Sequence, residues 1–444
     1  MSSFSPTSAV RNSSRQWMEG GTTTVSINIT ALEKFADEIT QSILSNKSLE
    51  VTEWDADGWH YTGTNYQKKE NGKKIDDVDD VYYELMRMER VALYILTLDA
   101  INFCFWPLSD DTQEDDDGRR TKNGLEYEHL AIALRKVAEA DDGMNLEVDR
   151  KDEDDSTSTI IHAAATYALS PTNLSNLTPA KLQAMLKPHF PPNDDNLLVQ
   201  YELPNIEVRC KLLNELGKGL LDHHNGSALH MIAKANKSAD TLVGVILDTF
   251  PGFRDFVDTS EWGKTTTTPC CDWEVAKSLP PTVIHFYKRA QIAVADIWAA
   301  LGRQCSSDTP ASLQICHFSD MNLVTTFPDY RVPQILRHVD VLQYSIDLAK
   351  QVDDQVELEK AGIDEVSIRA ATVVAVEEIV TRVKDCILSS TTSEASKKSH
   401  DDLQNLAVGD VSCTTIDWYL WQQGEKLDRA NLLSPHHRIR TTFY

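Results

Sequence analysis

The 444-residue chain holds eight cysteines but no C-x-x-C pair, and with Cys270 and Cys271 adjacent it lacks the ligand spacing of a zinc site. No metal and no cofactor are expected, and the thiols read as reduced, mostly buried side chains. The longest apolar stretch, residues 91–106 (VALYILTLDAINFCFW), is short of the roughly 20 residues of a spanning helix and carries Asp99 and Asn102. It predicts a buried core segment and no membrane partner. Basic charge is in deficit: 43 Lys and Arg against 68 Asp and Glu leave a net −25, which argues against a broad nucleic-acid-binding face. A local basic pocket for one small phosphate stays compatible, because the nearest charges set a site's field. Also missing are a Gly-rich phosphate loop, a G-x-S-x-G elbow, an H-E-x-x-H pair and the kinase signatures, so nucleoside triphosphate hydrolysis and serine or zinc hydrolysis lose their usual signals.

What is present is helical. In Tyr287–Leu301, Ala290, Val294, Ile297, Trp298 and Leu301 recur at the spacing of one helix face. Residues 363–388 are apolar nearly all round in their middle, which predicts a helix enclosed by others. Helices are also predicted over 212–221, 239–250 (stopped by Pro251-Gly252) and 336–349, whereas strand signals are limited to 48–52 and 282–286. The expected fold is mainly α with a small β element. The first 25 residues, Ser/Thr-rich and without an apolar run, predict a disordered leader, no secretory signal and a cytoplasmic protein. Residues 26–444 are expected to form a single helical domain, a monomer, with polar loop insertions at about 70–80, 109–123, 147–159, 258–281, 305–312 and 389–402.

Four short stretches have the aromatic, charged and turn-forming make-up of a pocket wall: 101–107, 286–291, 318–334 and 416–421. Asp329 stands just before Pro333, a residue suited to a helix's first turn, so its carboxylate is expected in the loop feeding a helix N-terminus. There it is either an ordinary helix cap or an ionised group that stabilises a developing cation. Asp417, flanked by Trp418, Tyr419 and Trp421, is either the partner of a basic group or a second functional acid. Two such carboxylates are what glycosidic cleavage typically needs. Lys288 reads either as part of a solvated basic patch or as a cation reserved for a substrate phosphate.

These motifs, in order, resemble the queuosine salvage protein family: NFCFW (102–106), LLNELGKGLL (212–221), FPGFRD (250–255), FYKRAQI-x-VAD-x-W (286–298), F-x-D (318–320), T-x-FPDYRVPQ-x-L (325–336), DWYLW (417–421) and HRIR (437–440). The acidic insertions suggest a fungal-type, loop-expanded member. The resemblance implies a helical fold related to helix-hairpin-helix DNA glycosylases, and hydrolysis of queuosine 5′-monophosphate to queuine and ribose 5-phosphate, for salvage into tRNA modification. It implies catalytic roles for Asp329 and Asp417, and a substrate-binding role for the KRAQ lysine, Lys288. Trp418 stands where the family has the first tyrosine of DYYLW, which leaves Tyr419 as the hydroxyl candidate. The 5′-phosphate would take Lys288, Arg331 or Arg438, and the planar base an aromatic clamp from Phe103, Trp106, Phe318 or Trp418. Asn102, Asp320 and Tyr330 are the remaining substrate-binding candidates in these motifs. The partner would be a small nucleotide, with no direct nucleic-acid contact. A nucleic-acid base glycosylase of the same fold and a non-catalytic helical scaffold are the alternative readings.

Overall fold

The computed structural model describes residues 4–46, 49, 51, 54–55, 58–63, 78–105, 125–141, 167–193, 196–262, 272–389 and 411–444. Fifteen α-helices run through them. The first eight are α1 (Pro6–Glu19), α2 (Ile29–Asn46), α3 (Val78–Ala100), α4 (Tyr127–Ala140), α5 (Pro171–Ser175), α6 (Pro179–Leu186), α7 (Ile206–His223) and α8 (Ala228–Ala233). The remainder are α9 (Ala239–Thr249), α10 (Trp273–Lys277), α11 (Lys288–Ile297), α12 (Arg331–His338), α13 (Ile346–Asp353), α14 (Ile363–Ser389) and α15 (Cys413–Arg429). The strands β1 (Val25–Ile27), β2 (Pro192–Asn193), β3 (Asn196–Gln200), β4 (Phe256–Asp258), β5 (Val283–His285) and β6 (Leu342–Tyr344) form three antiparallel pairs, β1 with β6, β2 with β3 and β4 with β5. The mainly α expectation, with a small β element, therefore holds. No helix among the described residues is long and apolar enough to cross a membrane.

Two helices with apolar residues on every side organise the packing. The 91–100 stretch is the second half of α3, wholly buried against α4, α7, α8 and α11. Helix α14 is enclosed by α1, α2, α12 and α15, as its pattern predicts. Its buried surface is interrupted by the guanidinium of Arg369, which has no exposed area.

Four expectations are corrected. The presumed leader holds α1, started by Ser5, whose hydroxyl accepts from the Ser8 N–H, with Pro6 in the first turn. Tertiary contacts order it: Val10 is buried, Arg11 and Arg15 pair with the buried Glu377, and Ser13 Oγ accepts from the His285 N–H. The helix predicted over 336–349 is broken after His338, where Asp340 turns with φ of 61° and the chain enters β6 before α13. The insertion at 258–281 is partly folded: α10 lies within it, and Trp273 sits edge-on to Tyr287 at 6.1 Å. Of the predicted strand at 48–52, Leu49 and Val51 are not in a strand, and its other residues lie outside the described set. So do the insertions at 109–123 and 147–159, residues 70–77, and residues 390–402.

Candidate active site

Helix α11 begins abruptly. Tyr287 takes a left-handed conformation (φ 52°), and the next residue, Lys288, is the first of the helix. The turn is held by Asp255 of the FPGFRD motif, whose backbone carbonyl accepts from the N–H groups of Phe286 (2.9 Å) and Tyr287 (3.1 Å). Its carboxylate accepts from the Lys288 N–H at 3.2 Å, a favourable place for negative charge at a helix start. The same carboxylate receives both arms of Arg369 at 2.9 and 2.5 Å, and Arg369 Nε donates to the carbonyl of Pro328 at 3.1 Å. One buried, two-pronged ion pair thus ties the start of α11 to the residue preceding Asp329.

Asp329 opens α12. Its Oδ1 accepts from the N–H groups of Arg331 (2.8 Å) and Val332 (3.0 Å), so it is a helix cap. It also lines an aromatic-walled cleft with about 200 Å³ accessible to water. The cap uses one of the two carboxyl oxygens. Asp417, on the inner face of α15, lines the same cleft. Its Oδ1 accepts from the Thr326 hydroxyl and from the Phe327 N–H (2.7 Å). Burial, then the neighbouring charge of Asp329, pushes the Asp417 carboxyl up to about 8. At neutral pH it is mainly protonated. Gln291 steadies that loop by donating to Thr325 Oγ1 (2.9 Å) and accepting from the Thr325 N–H (2.9 Å).

Lys288, buried, reaches the same cleft, and its ammonium makes no hydrogen bond or ion pair among the described residues. Burial lowers its pKa, with Asp329 and Asp99 opposing that shift. Asn102, Phe103, Tyr330 and Trp418 also line the cavity, Trp418 lying near-parallel to Trp298 with ring centres 6.4 Å apart. Behind Phe103, the buried Arg209 packs over the ring at 4.3 Å and donates to the carbonyls of Ile101, Phe103 and Cys104. It fixes the short loop that ends α3.

Other sequence candidates sit elsewhere. Arg331 does not line the cleft: its aliphatic stem lies across Gly424, and its guanidinium is engaged by Glu425 (2.7 Å), Asp428 (3.2 Å) and Gln334 (2.6 Å). Those partners take three of its five N–H donors and hold it away from a phosphate in the cleft, and the pairing joins α12 to α15. Asp320 caps α9, accepting from Ser238 Oγ (2.7 Å) and the Ala239 N–H (2.5 Å). Phe318 is a core residue, Tyr419 packs against the apolar cluster beneath α12 and α14, and Arg438 takes part in a backbone bridge with Glu357; none of the three lines the cleft. Trp106 lies outside the described residues.

The cleft contains groups that sequence patterning does not single out. Asp296 projects from the same face of α11 as Lys288 and Ile292, at i, i+4 and i+8. Burial pushes its carboxyl up to about 8, against the pull of Lys288. Tyr127 from α4 and His60 stand nearby, with His60 Nε2 3.0 Å from the Tyr127 oxygen and its pKa lowered to about 3 by burial. Lys426 and Arg429 mark the exposed rim on α15. Only the helical repeat of Lys288 and Asp296 was available as a signal; the others come from distant segments. Among the described residues, no group of three or more His, Cys, Asp or Glu side chains is arranged to hold a metal.

The profile of the queuosine salvage protein family matches residues 81–166, 158–267 and 271–444. A queuosine 5′-phosphate N-glycosylase/hydrolase of Dictyostelium discoideum is 30% identical over 443 residues, covering 99% of this chain and all of the relative. Proteins of the same description from Sphaerobacter thermophilus and Bos taurus are each 28% identical, covering 80% of this chain and 82% of their own length. With the profile covering most of the sequence and the Dictyostelium relative aligned end to end, the chain belongs to the queuosine salvage protein family.

Proposed function

We propose that this protein hydrolyses the N-glycosidic bond of queuosine 5′-monophosphate, releasing queuine and ribose 5-phosphate. The observation that carries this is a pair of carboxyl groups in contrasting surroundings on one aromatic-walled cleft: Asp329 at a helix start, and Asp417 held protonated beside it. Breaking C1′–N9 moves the bonding electrons onto the base and leaves positive charge on C1′ and O4′. The Asp329 carboxylate attracts that charge more strongly as it develops, which lowers the barrier without tightening ground-state binding. A 7-deaza base lacks the ring nitrogen through which a purine is readily protonated. Asp417 supplies the missing proton to the departing base, and water adds at C1′ while yielding its own proton to a carboxylate.

Phe103, Tyr330 and Trp418 form the walls for the planar base, with Asn102 as a polar contact between them. Lys288 is the cation for the 5′-phosphate, supported by its unpaired ammonium on the cleft and by the engagement of Arg331 elsewhere. The net charge of −25 favours a small nucleotide over a nucleic-acid polymer. Incubating the purified protein with queuosine 5′-monophosphate and with queuosine-containing RNA, then separating the products, tests this. Free queuine from the nucleotide alone is the expected result. Release from the polymer alone, or from neither, refutes the proposal.

A further inference from the structure

Behind the cleft wall lies a carboxyl group with little to bind. Asp99, on α3, has no exposed area; the nearby Asn102 amide favours its charged form, yet neither carboxyl oxygen completes a hydrogen bond of ordinary geometry among the described residues. An unsatisfied buried carboxyl is costly, and native proteins rarely keep one without a ligand or a mechanism to complete it. In front of it stands Asp296, which lines the cleft and makes no ion pair among the described residues. Each raises the other's burden, since two carboxyls in a low-dielectric site resist carrying two charges.

The surrounding groups relieve them only in part: Lys288 favours the charged form of both and Arg289 that of Asp99, but neither cation forms an ion pair with them among the described residues. The Asp55 N–H donates to His60 Nδ1 at 3.2 Å, so the imidazole proton resides on Nε2 and is given to the Tyr127 oxygen at 3.0 Å. The Tyr127 hydroxyl is thereby left with its own proton to donate into the cleft, and Tyr127 feels the charge of both acids. A single phenol cannot neutralise the pair. Four buried acids line the cleft, Asp296, Asp329, Asp417 and Glu425, with Asp99 behind them; Arg331 engages Glu425, which leaves the other four facing one buried ammonium, Lys288. Lys288 and Asp296 lie eight residues apart on α11, so about 12 Å of helix axis separates their backbone positions. The acidic pair thus faces a different part of a bound molecule from the part at the helix start.

We propose that Asp296, backed by the unsatisfied Asp99, is a specificity residue that receives a protonated amine carried on the substrate's base. A cation suits the place better than neutral N–H donors, because it draws the Asp296 carboxyl into its charged form as well as filling the empty acceptors. This rests on the reading that the substrate is queuosine 5′-monophosphate, whose side arm on the 7-deaza ring carries a secondary amine that is cationic at neutral pH.

The test compares kcat/KM for queuosine 5′-monophosphate with that for 7-deazaguanosine 5′-monophosphate, which has the ring and phosphate but no amine arm. The unaltered protein should prefer the former, and Asp296→Asn should cut the ratio of the two values about thirtyfold or more, the loss typical of removing one partner of a buried charge pair. An unchanged ratio, with both substrates slowed by the same factor, would overturn the assignment and make Asp296 a structural or ring-reading group. Should Asp296→Asn melt below the assay temperature, the unaltered protein still decides. Queuine should then compete with substrate at least about tenfold better than 7-deazaguanine, and equal inhibition refutes the proposal. Absence of base release from either nucleotide by the unaltered protein would instead remove the parent reading of the substrate.

Discussion

The Asp417→Asn substitution makes a stability prediction whose size follows from burial and whose sign follows from proton linkage. The Asp417 carboxyl titrates at about 8 in the folded protein against 3.8 as a free side chain. The unfolded chain therefore loses this proton first, and between those values each pH unit costs the folded state up to about 1.4 kcal/mol. From pH 5 to pH 7 the penalty grows by about 2.5 kcal/mol, then levels off above pH 8. The amide of the variant cannot titrate, yet its oxygen can still accept from the Thr326 hydroxyl and the Phe327 N–H as the parent carboxyl does. The variant should thus gain stability over the parent as pH rises, by about 2.5 kcal/mol across that interval, or about 3 °C in relative melting temperature for 444 residues. Paired thermal and urea melts at pH 5, 6, 7 and 8 measure it. Parallel curves, with a constant difference between variant and parent, would show that Asp417 is not held protonated, and its role as proton donor would fall with that result.

Asp329→Asn retains a capping oxygen for the Arg331 and Val332 N–H groups, so it should fold and bind substrate while kcat falls about 10²- to 10³-fold; a single-turnover rate near the parent's disproves the electrostatic role. The parent's kcat/KM should decline as pH rises through about 8, where Asp417 loses its proton, and a rate flat to pH 9 contradicts proton donation. Lys288→Met should narrow the rate advantage of queuosine 5′-monophosphate over queuosine nucleoside, whereas an unchanged advantage moves the phosphate contact elsewhere, Lys426 on the rim being the next cation to vary. Arg369→Met leaves Asp255 buried and unpaired and should destabilise the fold by about 3–5 kcal/mol, read by urea unfolding; a loss under about 1 kcal/mol would show that the Asp255 bridge does not hold α11 to the Asp329 loop.

The sequence carried the two acids and the lysine because each sits beside a readable local cue. Pro333 marks the start of α12, KRAQ opens α11, and DWYLW lies on the inner face of α15. It misled at Arg331, where a cation next to a candidate acid looks like a ligand group, although Glu425 and Asp428, 94 and 97 residues onward, claim it. The same long reach hid α1, whose composition is polar and whose order comes from Glu377 and His285 far along the chain. At Val339–Asp340 the backbone turns without glycine or proline, so periodicity ran on through a real break. Tyr127, His60 and Asp99 had no chance of being found by spacing, since only the fold brings Tyr127 and His60 to the cleft with Asp99 close behind.

The front-end helix has a practical corollary for anyone trimming or tagging this protein. A shortened form starting beyond Glu19 would strip Glu377 of both guanidinium groups and uncover the strand that leads into Lys288. Such a deletion would disturb the reaction centre from a region whose composition invites cutting, and a fusion partner placed there needs a spacer ahead of Ser5 to leave the first turn intact.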